Sequence, residues 1–184
     1  MDSSEAKVMQ NLPLKTSKSS LAAQVCLRLL ALGATLAAAC IMITSKQSVV
    51  VFGINIDARY SYSPAFKFLA LANLIACAFS LISLIIAPIL ARKGSHPASY
   101  FYMFLHDLVL MTLLMAGGAA ATAIGYVGRY GNSHTGWMAI CDNFGKFCDR
   151  VTVSVLLSFF GFVLYLFLVI ISANRSRQIQ VGRC

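Results

Sequence analysis

Arg28 and Asp107 carry opposite charges inside otherwise apolar stretches of this 184-residue chain. Arg28 stands early in the first such run. Asp107 follows His106 about two turns into the third, FYMFLHDLVLMTLLMAGGAAATAIGY. An ionised carboxylate in hydrocarbon is costly unless something neutralises it, and intramembrane acids usually face the protein interior. If the runs are membrane spans, runs one and three cross in the same direction. Each charge then lies six or so residues in, about 9 Å below the same interface at 1.5 Å per residue. Matching depths permit a buried ion pair between adjacent helices. The alternative is that Arg28 snorkels to the interface while Asp107 is protonated, or bonded to His106 or water. A proton or ion relay would need more intramembrane ionisable groups, and His106 is the only further one.

Cys141 and Cys148 are a second pair, in CDNFGKFC. In an oxidising compartment they would form a disulfide, closing a short ring. Metal binding with His134 is the other reading, but two cysteines and one histidine make no closed zinc site, and the spacing fits no standard pattern. Trp137, just upstream, either packs against this loop or lies at the headgroups like other interfacial aromatics. Gly117, Ala121 and Gly125 are spaced by four in the third run, which predicts a small-residue seam for helix packing. The chain has no nucleophile elbow, phosphate loop or paired carboxylates, so no catalytic residue, metal or cofactor is assigned.

The elements that must position these residues follow from composition. The chain is 59% hydrophobic and only 11% charged, with a mean hydropathy of +0.77. Soluble domains are nearer a quarter charged. Four apolar runs, about 22–44, 65–90, 101–126 and 151–173, are each long enough to cross a bilayer. The expected fold is an all-α membrane protein, a four-helix bundle over 22–173. Polar tails precede it (1–21) and follow it (174–184), and the first tail reads as disordered. No small-residue cleavage site follows the first run, so that run is expected to remain as an anchor. The net charge of +9 does not indicate nucleic acid, because the basic residues are scattered between spans and form no stripe. They suit loops beside lipid headgroups.

Four spans put both termini on one side. Lys7, Lys15, Lys18, Arg92, Lys93, Arg175, Arg177 and Arg183 fall there, against Lys46, Arg59, Arg129, Lys146 and Arg150 opposite. That bias favours cytosolic termini. The first outer loop contains SVVVFGINIDARYSYS, whose β-branched and aromatic residues predict a short hairpin turning near Gly53 or Asn55. Asn73 is expected to face a neighbouring helix.

Four blocks in order, CLRLLALGATLAAACIMITSKQ, FKFLALANLIACAF, HDLVLMTLLMAGGAAATAIGYVG and GNSHTGWMAICDNFGKFCDRV, resemble the plant Casparian strip membrane domain protein-like (CASP-like) family. The resemblance spans about residues 26–151 and extends in plan to the animal MARVEL four-span proteins. It implies a plasma-membrane protein with cytosolic termini. A span-one arginine and a span-three aspartate are hallmarks of that family and map to Arg28 and Asp107. The paired outer-loop cysteines map to Cys141 and Cys148, and the preceding tryptophan to Trp137. Family members form homo- and heteromers. The founding members build an immobile platform that acts as a diffusion barrier and directs local cell-wall modification. The first outer loop here, KQSVVVFGINIDARYSYSPAFKF, does not match theirs, so the expectation is a relative with a membrane-domain role. Its partners would be itself, related chains, membrane lipids and wall-modifying enzymes. The competing expectation is a small ion channel or transporter, with a path lined by Asn73, His106 and Asp107.

Overall fold

The computed structural model describes residues 13–51, 53–92 and 97–181. Its elements are α1 (Pro13–Thr44), a hairpin of β1 (Lys46–Val51) and β2 (Ile54–Arg59), a 3-10 turn (Tyr60–Tyr62), α2 (Pro64–Arg92), α3 (Pro97–Tyr130) and α4 (Gly145–Val181). Each apolar run is helical, because a lipid-embedded backbone must satisfy its own hydrogen bonds. α1, α2 and α3 each begin at a proline, whose missing N–H costs nothing at the first helical position. Among the described residues, four segments are long and apolar enough to span: Leu21–Thr44, Pro64–Ile86, Phe101–Tyr130 and Gly145–Asn174. The protein is therefore a four-span membrane bundle.

Several helices outrun the boundaries read from hydropathy. α1 starts at Pro13, inside the tail expected to lack structure, and α4 continues to Val181. α3 runs through Arg129, and α4 starts before Lys146 and Arg150. Charge marks where lipid ends, not where a helix must end. Residues 1–12, with Lys7, lie outside the described residues, as do Lys93, Arg183 and Cys184.

Consecutive helices pack side by side, and α1 also packs on α4, which closes the ring. α1 and α3 are therefore diagonal. Small residues let the neighbours approach. On α1, Ala31, Ala34, Thr35 and Ala38 are buried, and on α4, Ser154, Ser158 and Gly161. A Cβ at Gly161 would lie 3.2 Å from Thr35 Cγ2. One apolar cluster fills the half of the bundle nearer the hairpin around Met42, Phe66, Leu69, Phe144 and Phe147. Another, with Ala31, Leu110, Leu114, Leu164 and Leu168, fills the half nearer the termini.

At the end of the bundle away from the termini, the hairpin pairs Val51 with Ile54, and Gly53 adopts φ 81° in its turn. It is fastened to the bundle by crossed caps. Gln47 Oε1 accepts from Phe147 N at 2.8 Å, at the start of α4. Arg150 Nη1 donates to the Thr44 carbonyl at 3.4 Å, at the end of α1. Each satisfies a backbone group that a helix end leaves without a partner. The loop between α3 and α4 folds back onto α3, where Ile140 N and Cys141 N both donate to Gly128 O. Gly131 permits this reversal. Its φ is 68°, and a Cβ there would stand 2.6 Å from the Trp137 carbonyl oxygen.

Candidate functional site

Arg28 and Asp107 meet across the diagonal of the bundle, not between adjacent helices as depth alone suggested. Arg28 Nη1 donates to Asp107 Oδ1 at 2.9 Å and Nη2 to Oδ2 at 2.6 Å, a two-pronged contact with both side chains essentially fully buried. The pairing spans the centre because both neighbouring helices present small or hydroxyl side chains there. From α2, Ser83 Oγ accepts from Arg28 Nη1 at 2.8 Å and donates to Ser80 O at 2.9 Å. Ser80 Oγ bonds in turn to the Tyr165 hydroxyl of α4, which also donates to Ala76 O at 3.2 Å. All four helices thus share one polar network. Charge-assisted, bidentate bonds of this kind are the strong ones, and a low-dielectric interior strengthens them further.

His106 attaches from the lipid side, its Nδ1 3.2 Å from Asp107 Oδ1 and its ring edge-on to Phe79. Arg28 Nε and Asn73 Oδ1 are buried without a protein partner among the described residues. Asn73 does face another helix: its Nδ2 donates to Leu69 O at 2.9 Å and to Ser158 Oγ of α4 at 3.0 Å. One layer further out, Ser154 Oγ donates to Ala38 O of α1 at 2.8 Å. Polar side chains therefore cross-link the ring at three depths.

Ser83 and Tyr165 were missed by reading the sequence. The available signal was weak: a hydroxyl in an apolar run, near the depth of a known charge.

The packing seam needs correction. Gly117 and Ala121 are buried, and a Cβ at Gly117 would sit 3.3 Å from both Leu69 Cα and Ala72 Cβ on α2. Gly125 does not belong to that contact, because a Cβ there would meet nothing within 4 Å. A four-residue step exceeds the 3.6-residue turn, so the stripe rotates about 40° per step and has left the α2 interface by Gly125. Gly118, one position over, is the second close approach, where a Cβ would lie 3.0 Å from the Phe159 ring of α4. Gly117→Val is expected to cost about 1–2 kcal/mol of stability by overpacking. Gly125→Val should be nearly neutral by comparison, as read by unfolding in detergent.

Cys141 and Cys148 are joined, with Cα atoms 5.8 Å apart. No cluster of metal-ligating residues occurs among the described residues. The Trp137 ring is more than half exposed, while its backbone pairs with Asn132 through bonds of 2.8 and 3.0 Å.

A four-span bundle latched by an arginine–aspartate pair, with a disulfide-bridged loop between α3 and α4, defines the class. The Casparian strip membrane protein domain matches residues 17–164, and the chain belongs to that family. It is 56% identical to CASP-like protein 1F1 of Vitis vinifera, over 96% of this chain and 86% of that one. It is 52% identical to CASP-like protein 1F2 of Populus trichocarpa, over 96% and 98% of the two chains. No solved structure matches significantly.

Proposed function

We propose that this protein is a non-enzymatic plasma-membrane scaffold. It self-associates, as homomers and with related chains, and organises a membrane patch beside which cell-wall-modifying enzymes are held. Both termini face the cytosol in this reading. The carrying observation is that Arg28 and Asp107 are consumed by each other inside one protomer. The buried charge serves to hold one bundle geometry, and the lipid-facing surface is left apolar for lateral association. Family membership supports the same reading. The outer loops, with Trp137 exposed, supply the face toward the wall.

The deciding experiment is photobleaching recovery of a fluorescent fusion at native expression. Slow recovery, with co-purification of differently tagged copies, is the expected result, and fast recovery of a monomer would refute the scaffold. A channel requires Asp107 to be available to ions, and its bidentate engagement weighs against that. Purified protein in liposomes should show no ion flux that Asp107→Asn abolishes.

A further inference from the structure

On the half of the bundle that holds the termini, two adjoining grooves open between α2 and α3. One, of about 360 Å³, is lined by Ile82, Ser83, Ile86 and Met103 together with Phe79, Tyr102 and His106. The other, of about 340 Å³, shares those last three and continues to Ile75, Val109 and Leu113. Each lies in the size range of small-molecule sites. Ile82, Ile86, Tyr102 and Val109 are exposed and fall within spans, so the grooves face hydrocarbon.

The walls are apolar, and their polar groups cluster at one level. His106 is five positions into its span and Ser83 three from the end of its own, about 5–8 Å inside the interface. From Ile86 to Ile75 the groove follows α2 for about 16 Å, close to one leaflet of a ~30 Å hydrocarbon core.

Ser83 is fully employed within the latch, accepting from Arg28 and donating to Ser80 O. His106 is not. Its Nδ1 faces Asp107, and its Nε2 has no partner among the described residues. A carboxylate held by Arg28 can only accept, so Nδ1 carries the ring proton. A neutral ring of this tautomer accepts at Nε2, which an O–H donor at this depth would satisfy.

We propose that this groove binds a sterol, with its single hydroxyl donating to His106 Nε2 and its ring system lying along Phe79 toward Ile75. A phospholipid chain supplies no donor there, because its ester oxygens only accept. Diacylglycerol or ceramide would bring a hydroxyl, but with two flexible chains whose ordering costs binding energy. A rigid ring system escapes most of that cost.

The test uses the full-length chain in phosphatidylcholine vesicles carrying a ring-diazirine sterol. Labelled peptides should map to 75–86 and 102–113, and excess unlabelled sterol should compete. The 3-O-methyl ether of the same probe, which cannot donate, should label about three- to ten-fold less, the worth of one hydrogen bond. His106→Phe should lower labelling by the same factor, and Ile82→Trp should block it by filling the groove. The ether comparison needs no variant, so it stands even if a substitution unfolds the protein. Equal labelling by the ether would overturn the proposal, as would label spread evenly over the lipid-facing surface. So would a chain-photoreactive phosphatidylcholine that occupies the groove and is not displaced by sterol, or a ceramide that competes better than sterol.

Discussion

Asp107→Leu should destabilise the bundle by about 3–5 kcal/mol, the usual result of removing one partner from a buried ion pair. The loss comes mainly from what remains behind. Arg28 is 1% exposed and sits on the bundle diagonal, so it cannot reach water without pulling α1 away from α2 and α4. Among the described residues, Ser83 Oγ would be its only remaining side-chain acceptor. Asp107→Asn should cost less, because an amide oxygen still accepts one of the two guanidinium bonds. The sharpest comparison is Arg28→Leu combined with Asp107→Leu. Replacing both charges by apolar groups removes the desolvation problem, and the double variant should recover much of the single variant's loss. Unfolding in mixed micelles, followed by gel filtration for monodispersity, reads the series. A double variant no better than Asp107→Leu alone would mean that the charges do not act through each other.

This site was only partly legible in the sequence. The four spans were plain, since runs of that length and apolarity have few other uses. Arg28 and Asp107 stood out because charge is rare in such runs, and counting residues from the span ends gave both the same depth. Depth is one coordinate of three, however. Position around the ring depends on which faces of α1 and α4 carry Ala31, Thr35, Ser158 and Gly161, and apolar moments are weak when both lipid and core are greasy. The diagonal arrangement was therefore hidden. Ser83 and Tyr165 were hidden for a different reason. A hydroxyl within a span can bond to its own helix, as Thr35 does to Ala31 O, so its presence names no partner. The hairpin was readable from β-branched residues around Gly53, but its fastening to α4 through Gln47 was not. That bond joins residues 100 positions apart.

Removing the disulfide should have the second-largest effect. Cys141→Ser with Cys148→Ser opens a ring closed at a separation of 7 residues. The chain-entropy relation puts the loss at about 2–3 kcal/mol. The structure also indicates where the damage falls. Phe144 and Phe147, both inside the ring, are buried in the apolar cluster beside the hairpin, and the Phe147 ring meets Phe66 of α2 edge-on at 6.1 Å. The bridge keeps this plug seated over that end of the bundle. Hydrogen exchange in the double variant should rise in the first turns of α4 and in residues 139–148. The amides around Ser83, Asp107 and Tyr165 should keep their protection. Uniform loss of protection along all four helices would show instead that the plug and the polar latch form one cooperative unit. Intact mass without reductant should be 2 Da below that of the reduced chain, the two hydrogens lost when the bridge forms.

The partners in the latch lie 79 positions apart in the chain. At about 5–20 residues per second of synthesis, the guanidinium reaches the translocon some 4–16 seconds before its carboxylate does. During that interval α1 and α2 share the bilayer with a cation that has Ser83 for company and nothing to neutralise it. Ribosome-arrested chains in which α3 is still inside the ribosome should therefore be stripped from membranes by alkaline carbonate more readily than chains in which it has emerged. The half-made molecule would carry an uncompensated charge until the third helix arrives.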